Sequence, residues 1–600
     1  MSTTLRSEAG SPTLVRTRRR IQTGEIGSLA GLGAVVALWG FALTRVDVRA
    51  MTDLGLISVL PWAAWCAAAL LVLGFARALA RSATPAWLLT AYPVTLSTLL
   101  FTTPLVLYGT PRYSWAWKHA GIVDYIDRTG AVDPHIDVLP IYHSWAGFFA
   151  ANAMLTDLAG FDTSLSYAAW AELLFNLLAL GAVLAILHAL TGDVRTTAVG
   201  AWLFVLGNWV GQGYFSPQGI NYVWYLLVLA ILLRWFPARI AARSAYSPSS
   251  EPGPAGRVGL CAVVLLLLVS IAGTHQLTPV VMVLTLSALA VLRQTSLRSL
   301  PFVMAVVVAA WVLYVAEPFT RTTLREALSE VGAVTSNLED TLIGYGTASD
   351  GQILVSLVTR AFTIGFCLLA GCGILASWRS GRRSTPALVL ALVPFLLVGF
   401  STYGSEVLFR SYLFALPGLA YFGAVLLWPP GSTAWRHRAV LVGLLSVYLA
   451  LGSLVAQFGN DRQYHFTDEE VAAAEYVYDN APPGTLLVEG SRNYPSQFRN
   501  YERFTYVPIS REDPEDIARI LRDPVGTMAR WLGDTDTYRA SYLIITRSQI
   551  AATTARGEIP GDGLVAIEEA LRSSPRFRVA FENRDATVFE LATAPEDDTP

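Results

Sequence analysis

The sequence predicts a polytopic α-helical membrane protein that ends in an extracytoplasmic α/β domain. Of its 600 residues, 53% are hydrophobic and only 15% are charged, and the mean hydropathy is +0.46. A soluble protein carries about 25% charged residues. Long apolar runs alternate with short polar stretches until about residue 458, where the composition becomes that of a soluble domain.

The apolar runs are long enough to cross a membrane repeatedly, because one helical crossing takes roughly 20 residues. We predict about thirteen transmembrane helices in a core spanning residues 27–457. The predicted spans are 27–43, 54–76, 86–108, 165–191, 195–210, 217–236, 258–274, 278–292, 299–316, 353–377, 386–400, 411–428 and 439–457.

The orientation follows from the distribution of arginine, which concentrates in cytoplasmic loops. Residues 1–26 form a basic tail, and no small-residue cleavage site follows Leu43, so the first span is read as a retained helix. With the N-terminus in the cytoplasm, alternate loops hold most of the arginines, and thirteen crossings leave residues 458–600 outside. The inner-loop arginines are Arg77, Arg81, Arg195, Arg234, Arg239, Arg243, Arg257, Arg293, Arg298, Arg379, Arg382, Arg383, Arg436 and Arg438.

Two outer loops are long, 109–164 and 317–352. The stretch "YHSWAGFFAANAMLTDLAG" has apolar residues at helical spacing but is too polar to span, which is typical of a helix lying in the interface. In the second loop, "TLREALSEVGAV" is a predicted helix.

The region 458–600 is predicted to alternate helices and strands. "TDEE" at 467–470 is a capping box that begins a helix. "PPGTLLVEG" is a predicted turn into a strand, and "FTYVPIS" and "YLIIT" are further predicted strands. "DPEDIARILRD" and "GLVAIEEALRSS" are predicted helices, and "FRVAFENRDATVFEL" is a predicted hairpin. No catalytic motif occurs in this region, which favours a lid or docking role.

The predicted topology brings polar side chains from several loops to the outer membrane face. The residues that we expect to bind substrate or its phosphate are Arg112, Lys118, His119, Gln218, His275, Glu406 and Arg410. Cationic groups at a lipid interface can neutralise a lipid-linked phosphate and stabilise it as a leaving group, and a carboxylate can take a proton from an attacking hydroxyl.

The arrangement of a span, a long acidic loop, an interfacial helix and a return span resembles the GT-C superfamily of polytopic glycosyltransferases. "LPIYHSWAGFFAANAMLTDLAG" resembles their second interfacial helix, and "RSYLFALPGLAYF" resembles the start of their late spans. "GQGYFSPQ" and "THQLTP" are similar to stretches of uncharacterised actinobacterial membrane proteins placed near this group.

This resemblance implies transfer of a sugar from a polyprenyl-phosphate donor to a cell-envelope glycan or glycoconjugate, outside the cell membrane, with a loop aspartate as base. The family usually places that aspartate directly after the span, where this sequence has "GTPRYSWAWKH" without an acid. Asp124 is the nearest candidate for the base, and Asp127 is the second.

Each assignment has a structural alternative. Lys118 is the only lysine among the 43 lysines and arginines of the chain, which indicates either a compact charge that contacts phosphate or an interfacial anchor. Asp124 and Asp127 can share a solvated helix face, and Glu406 and Arg410 can pair with each other. Glu172 and Arg360, about seven residues inside their spans, are expected to pair or to line one cavity.

The sequence predicts no cofactor and no nucleic-acid partner. Asp133, His135, Asp137 and His143 lack the paired spacing of a metal site, so a divalent metal is unsupported. An O-antigen-type polymerase or ligase and a lipid or sugar transporter remain as alternative functions.

Overall fold

The computed structural model describes residues 23–238, 252–321, 348–399 and 406–592, and it has a helical body followed by a C-terminal α/β domain. The predicted polytopic helical body with a C-terminal α/β domain is confirmed. The helices of the body are α1 Thr23–Leu43, α2 Trp62–Ala80, α3 Ala86–Tyr108, α4 Ser114–Thr129, α5 Pro140–Ser144, α6 Gly147–Ala159, α7 Leu165–Ala168, α8 Ala171–Thr191, α9 Val194–Gly207, α10 Pro217–Trp235, α11 Pro254–Thr274, α12 Thr278–Val291, α13 Leu300–Ala310, α14 Asp350–Arg379, α15 Thr385–Leu392, α16 Val407–Leu427 and α17 Trp435–Phe458.

Every predicted span overlaps at least one of these helices. Within the described residues, nine are long and apolar enough to cross a membrane, and α9, α12, α13 and α15 belong to shorter apolar segments. A π-helical turn at Trp311–Val315 extends α13, and a 3-10 segment at Val393–Gly399 extends α15.

Two predicted span starts are wrong. The span predicted from residue 54 begins at Trp62, because Leu56–Val59 forms a separate 3-10 turn and Pro61 caps the helix. The span predicted from residue 165 breaks into α7 and α8, so Glu172 lies in the first turn of α8 rather than seven residues inside a span.

Some expectations lie outside the described residues. They concern part of the basic tail, Arg239 and Arg243 of one loop, and the helix predicted in the loop 317–352.

The loop 109–164 is folded and mostly helical. The predicted interfacial helix is two helices, α5 and α6, because the chain breaks at Trp145 and Ala146. Helix α6 exposes Met154, Leu155 and Leu158, the last at 84%. An apolar face this exposed fits a helix that lies against lipid.

The C-terminal domain is a five-stranded mixed sheet with helices on both faces. Its helices are α18 Asp461–Tyr464, α19 Asp468–Asn480, α20 Pro514–Arg522, α21 Pro524–Leu532, α22 Arg547–Arg556 and α23 Gly563–Arg572, and its strands are β1 Thr485–Glu489, β2 Phe504–Pro508, β3 Ala540–Thr546, β4 Phe577–Glu582 and β5 Ala586–Leu591. The strand order is β2-β1-β3-β5-β4. Strand β1 pairs parallel with β2 and β3, and β5 pairs antiparallel with β3 and β4.

The predicted elements of this domain are present, and the capping box is confirmed by reciprocal hydrogen bonds between Thr467 and Glu470. Helices α21 and α22 were not predicted. One face of the sheet packs on α20, α21 and α23, and the other packs on α19. Trp117 of α4 packs with Phe466 and Phe498 in the hydrophobic core on the α19 face of the sheet. The loop 109–164 and the C-terminal domain therefore share buried surface.

Candidate functional site

Arg112 lies at the centre of a buried charge cluster between the helical body and the C-terminal domain. Its guanidinium binds both carboxylate oxygens of Glu172, with the shortest contact at 2.6 Å, and it donates to Asp461 at 2.9 Å. Tyr108 donates to the second oxygen of Asp461 at 2.6 Å. The side chains of Arg112 and Asp461 are each 1% exposed. We call Arg112, Glu172, Asp461 and Tyr108 the arginine cluster.

This cluster corrects two expectations. Arg112 was expected to bind phosphate, but its N–H groups are committed to two buried carboxylates. Glu172 was expected to pair or share a cavity with Arg360, but it pairs with Arg112. Sequence reasoning missed Asp461, because nothing local marks a residue that pairs across 349 positions.

A cavity of about 470 Å³, which we call the amphipathic cavity, contains Arg360 and Arg410 in its wall. Arg360 comes from α14, and Arg410 comes from the first turn of α16. Arg410 donates to the preceding Glu406 at 2.7 Å, and its side chain is 11% exposed. The i,i+4 pair that the sequence left open is therefore formed.

The rest of this wall divides into apolar and polar parts. The apolar part includes Val355, Ile364, Phe395, Leu408 and Phe409, and the polar part includes Tyr113, Gln212, Gln352, Asn460 and Tyr464. Tyr113 connects the cavity to the arginine cluster, because the Arg112 guanidinium lies 4.9 Å from the centre of its ring. Among the described lining residues, Glu406 is the only carboxylate.

His119 and His275 are buried and neutral, so they do not supply the positive charge expected for a phosphate site. Burial lowers the pKa of His119 to about 3, and it lowers the pKa of His275 well below the usual value, with further lowering from Arg410 and His119. His119 Nδ1 lies 2.9 Å from the carbonyl oxygen of Phe215, which requires the proton on Nδ1. His119 Nε2 is then an acceptor, and it has no hydrogen-bond partner in the described part of the chain.

Gln218 is 3% exposed at the start of α10, close in sequence to the carbonyl that holds His119. Neither of its side-chain polar atoms has a partner among the described residues. His275 Nδ1 lies 3.2 Å from the hydroxyl of Thr278 in the first turn of α12. Gln218 and His119 thus have polar atoms without a hydrogen-bond partner among the described residues, whereas His275 contacts the first turn of α12.

Lys118 faces a different cavity from Arg410. Its ammonium lies 4.8 Å from the centre of the Trp115 ring and 3.4 Å from the backbone oxygen of Arg492. Burial lowers the pKa of Lys118, and the nearby carboxylate of Glu489 opposes that shift. Lys118 and Arg410, both expected to bind substrate or its phosphate, line separate cavities.

The second cavity has a volume of about 810 Å³ and lies between α4, the chain after it and the C-terminal domain. We call it the polar cavity. Helix α4 is regular from Ser114 to Thr129, so Lys118 and the adjacent His119 point in different directions. Sequence reasoning missed Glu489, although a carboxylate at the end of the fully buried strand "TLLVE" is an available signal.

The two aspartates expected to act as base, Asp124 and Asp127, do not line either cavity. Asp124 accepts from Arg128 at 2.9 Å and from the backbone N–H of Asn500 at 3.2 Å, and Arg128 also binds Glu502. Asp127 is exposed, and partial burial and Asp157 raise its pKa. Asp124 thus joins α4 to the C-terminal domain.

No group of three or more His, Cys, Asp or Glu side chains among the described residues is placed to hold a metal ion.

Comparison with known proteins gives structural matches only. No family model and no curated protein matches the chain. The chain is similar to an Archaeoglobus fulgidus oligosaccharyltransferase tethered with an acceptor peptide, with 11% identity and a TM-score of 0.47 over 80% of this chain and 72% of that one. It is also similar to ArnT from Cupriavidus metallidurans bound to undecaprenyl phosphate, with 13% identity and a TM-score of 0.45 over 83% of this chain and 97% of that one. Apo ArnT matches with 13% identity and a TM-score of 0.46, covering 84% and 97% of the two chains.

Proposed function

We propose that this protein is a GT-C-type membrane glycosyltransferase that moves a sugar from a polyprenyl-phosphate donor to a cell-envelope glycan or glycoconjugate. The observation that carries the proposal is the amphipathic cavity, where Arg360 and Arg410 share a wall with an apolar surface of helical residues. A lipid-linked phosphate has this division, with an apolar chain and an anionic head. Guanidinium groups suit the head because they bind phosphate through two parallel N–H groups.

The donor phosphate takes over N–H groups of Arg410 that now bind Glu406. This exchange frees the Glu406 carboxylate, which then accepts the proton of the acceptor hydroxyl. The hydroxyl oxygen forms a bond to the anomeric carbon as the bond from that carbon to the phosphate oxygen breaks. The phosphate leaves with the electron pair, and Arg360 and Arg410 stabilise its added charge. Glu406 replaces Asp124 and Asp127 as our proposed base.

The arginine cluster positions one wall of the cavity rather than contacting the donor. It fixes Arg112 against Tyr113, whose ring also lies 4.8 Å from that of Tyr464 on the same wall. A satisfied network of this kind holds its members in one arrangement.

Donor binding tests the proposal directly. The parent protein, reconstituted in lipid nanodiscs, should bind decaprenyl phosphate, and Arg410→Gln and Arg360→Gln should each weaken binding about tenfold, the effect of losing one charge-assisted contact. Arg379→Gln, at the opposite end of α14, is the matched control and should bind as the parent does. Decaprenol without phosphate should bind weakly to all four proteins. Equal binding of the phosphate by parent and arginine variants contradicts the donor site.

Product analysis separates the alternative functions. In proteoliposomes loaded with a radiolabelled polyprenyl-phosphate sugar, a glycosyltransferase releases polyprenyl phosphate and labels a glycan. A transporter moves the intact donor without cleaving it.

We place the C-terminal domain outside the cell membrane. Labelling of an exposed Ser573→Cys variant in intact cells, compared with a cysteine-free parent, tests that orientation.

A further inference from the structure

The polar cavity has balanced charge, which distinguishes it from an anion site. Its cationic side chains are Lys118, Arg492 and Arg503, and its acidic side chains are Asp133, Asp137 and Glu502. The formal charges of the three carboxylates offset those of the three cations, so the wall as a whole does not select an anion. A neutral ligand with many hydroxyl groups, in contrast, can use both the donors and the acceptors of this wall.

Aromatic rings form the other part of the wall. Trp115 and Tyr125 lie on one face of α4, and Tyr506 comes from strand β2. Trp115 is 41% exposed, so its ring is available to a ligand. Aromatic faces pack against apolar C–H surfaces, which a sugar ring presents beside its hydroxyl groups. The volume of about 810 Å³ lies within the range of about 300–1,000 Å³ that small-molecule sites occupy.

Gln497 gives an independent indication of a ligand. It lines the cavity, it is 4% exposed, and its Oε1 has no hydrogen-bond partner among the described residues. Its backbone φ is 60°, a value that residues other than glycine rarely adopt. A buried polar atom without a partner in a strained residue requires an explanation, and a ligand hydroxyl supplies the missing partner.

The surrounding packing holds this strained residue in place. A Cβ atom at Gly121 of α4 would lie 1.8 Å from the backbone oxygen of Gln497, so only glycine permits this close approach. The backbone N–H of Gln497 donates to Tyr478 at 2.6 Å. Two separate parts of the fold therefore fix the backbone of Gln497 at the cavity wall.

We propose that the polar cavity binds a neutral carbohydrate segment, the glycan of the acceptor. The assignment of this segment to the acceptor rests on the proposed function, whereas binding of carbohydrate does not. Trp115 packs on a sugar ring, Gln497 Oε1 accepts from a sugar hydroxyl, and the charged side chains donate to and accept from the remaining hydroxyls. Lys118 is a positioning residue that holds the Trp115 ring through the contact of its ammonium.

The test is retention of the full-length protein, in detergent and without donor, on a microbial glycan array, followed by titration with each retained glycan. We expect the parent to retain at least one neutral glycan. Trp115→Ala, Gln497→Gly and Arg503→Ala should each weaken the titrated affinity about tenfold or more. Glycine at 497 removes the amide while accepting the positive φ, and Arg503 is exposed, so these variants avoid a folding defect.

Trp87→Ala is the matched control, because Trp87 is 46% exposed on α3 and lies away from the cavity lining. Its affinity should equal that of the parent. Retention of no glycan overturns the proposal, as does equal affinity of the parent and all three cavity variants. Binding of inorganic phosphate in place of glycan, lost in Arg503→Ala, also overturns it.

The proposed function fails separately from this inference. If Arg410→Gln keeps both donor binding and transfer while the glycan titration follows the cavity variants, the donor site is wrong and the carbohydrate site stands.

Discussion

Two buried cations, Arg112 and Lys118, lie six residues apart in one loop, and their surroundings differ. Arg112 is 3% exposed and is held by two carboxylates and a backbone oxygen. Lys118 is 2% exposed, yet its contacts are the face of Trp115 and one backbone oxygen at 3.4 Å. Its nearby carboxylate, Glu489, receives a hydrogen bond from Tyr494 at 2.8 Å and keeps its other oxygen without a partner among the described residues.

The comparison shows that hydrogen-bond partners, and not burial, distinguish a purely structural charge from one at a ligand site. A planar guanidinium can be satisfied on several sides at once, and then nothing remains for a ligand. The Lys118 ammonium contacts one backbone oxygen and the Trp115 ring, so at the cavity wall it orients a ring that a ligand can contact. Sequence position suggested the same role for both residues, and only their partners distinguish them.

The largest expected effect is loss of the arginine cluster. Arg112→Met leaves Glu172 and Asp461 buried without their cation, and breaking a buried pair costs about 3–5 kcal/mol of folding free energy. We expect a strongly lowered thermal unfolding midpoint in detergent and a poor yield of folded protein. The triple variant Arg112→Met, Glu172→Leu, Asp461→Leu should recover much of this loss, because an apolar cluster needs no compensating charge. An Arg112→Met variant as stable as the parent would show that the cluster contributes little.

The second prediction separates the two cavities by kinetics. Arg410→Ala should lower kcat for transfer about tenfold to a hundredfold, because it loses a contact that strengthens as the phosphate gains charge. Lys118→Ala should instead raise KM for the acceptor and leave donor affinity unchanged. Steady-state kinetics with both substrates varied give the two parameters. If Lys118→Ala loses donor affinity as Arg410→Ala does, both residues bind the same donor phosphate.

The third prediction extends the comparison to a histidine of the same loop. His143 accepts a hydrogen bond from the backbone N–H of Asp133 at 3.0 Å and contacts the hydroxyl of Tyr501. Burial lowers its pKa from 6.5 to about 4, against the influence of Asp133. A histidine with a depressed pKa stabilises the fold above pH 6.5, and this contribution is lost as the pH falls toward 4.

The thermal unfolding midpoint of the parent should therefore fall as the pH is lowered from 6.5 to about 4, and that of His143→Gln should fall less. His135→Gln is the control, since His135 is exposed on the same loop. The same pH slope in parent and His143→Gln would remove His143 as a cause of acid lability.

The smallest expected effect concerns Asp124. Its pair with Arg128 is partly exposed, and such pairs contribute about 0–1 kcal/mol. Asp124→Asn should leave transfer close to the parental rate, whereas Glu406→Gln should abolish most of it. If Asp124→Asn abolishes transfer and Glu406→Gln does not, Asp124 is the base, as the sequence predicted.

Local sequence determined the helices, the strands and the division of the chain. The apolar runs that predicted α3 at residues 86–108 and the capping box at Thr467 depend on neighbours within a few residues, so one sequence shows them. The short helices α21 and α22 were missed although each has a local start signal, Asp523 followed by Pro524 in α21 and the capping box of Thr546 and Gln549 in α22.

Tertiary structure alone decided which polar residues meet. The sequence placed Arg112, Lys118 and Arg410 on one membrane face, but their separation into a closed cluster and two cavities depends on Asp461 and Gln497, contributed by other segments. Only the pair of Arg410 with Glu406, four residues earlier, could be expected from local sequence. A buried charge is stabilised by whichever partner the fold brings within hydrogen-bond distance, and that distance bears no relation to separation along the chain. Composition thus determined that this chain forms a membrane body with an α/β domain, and packing determined where a ligand can bind to it.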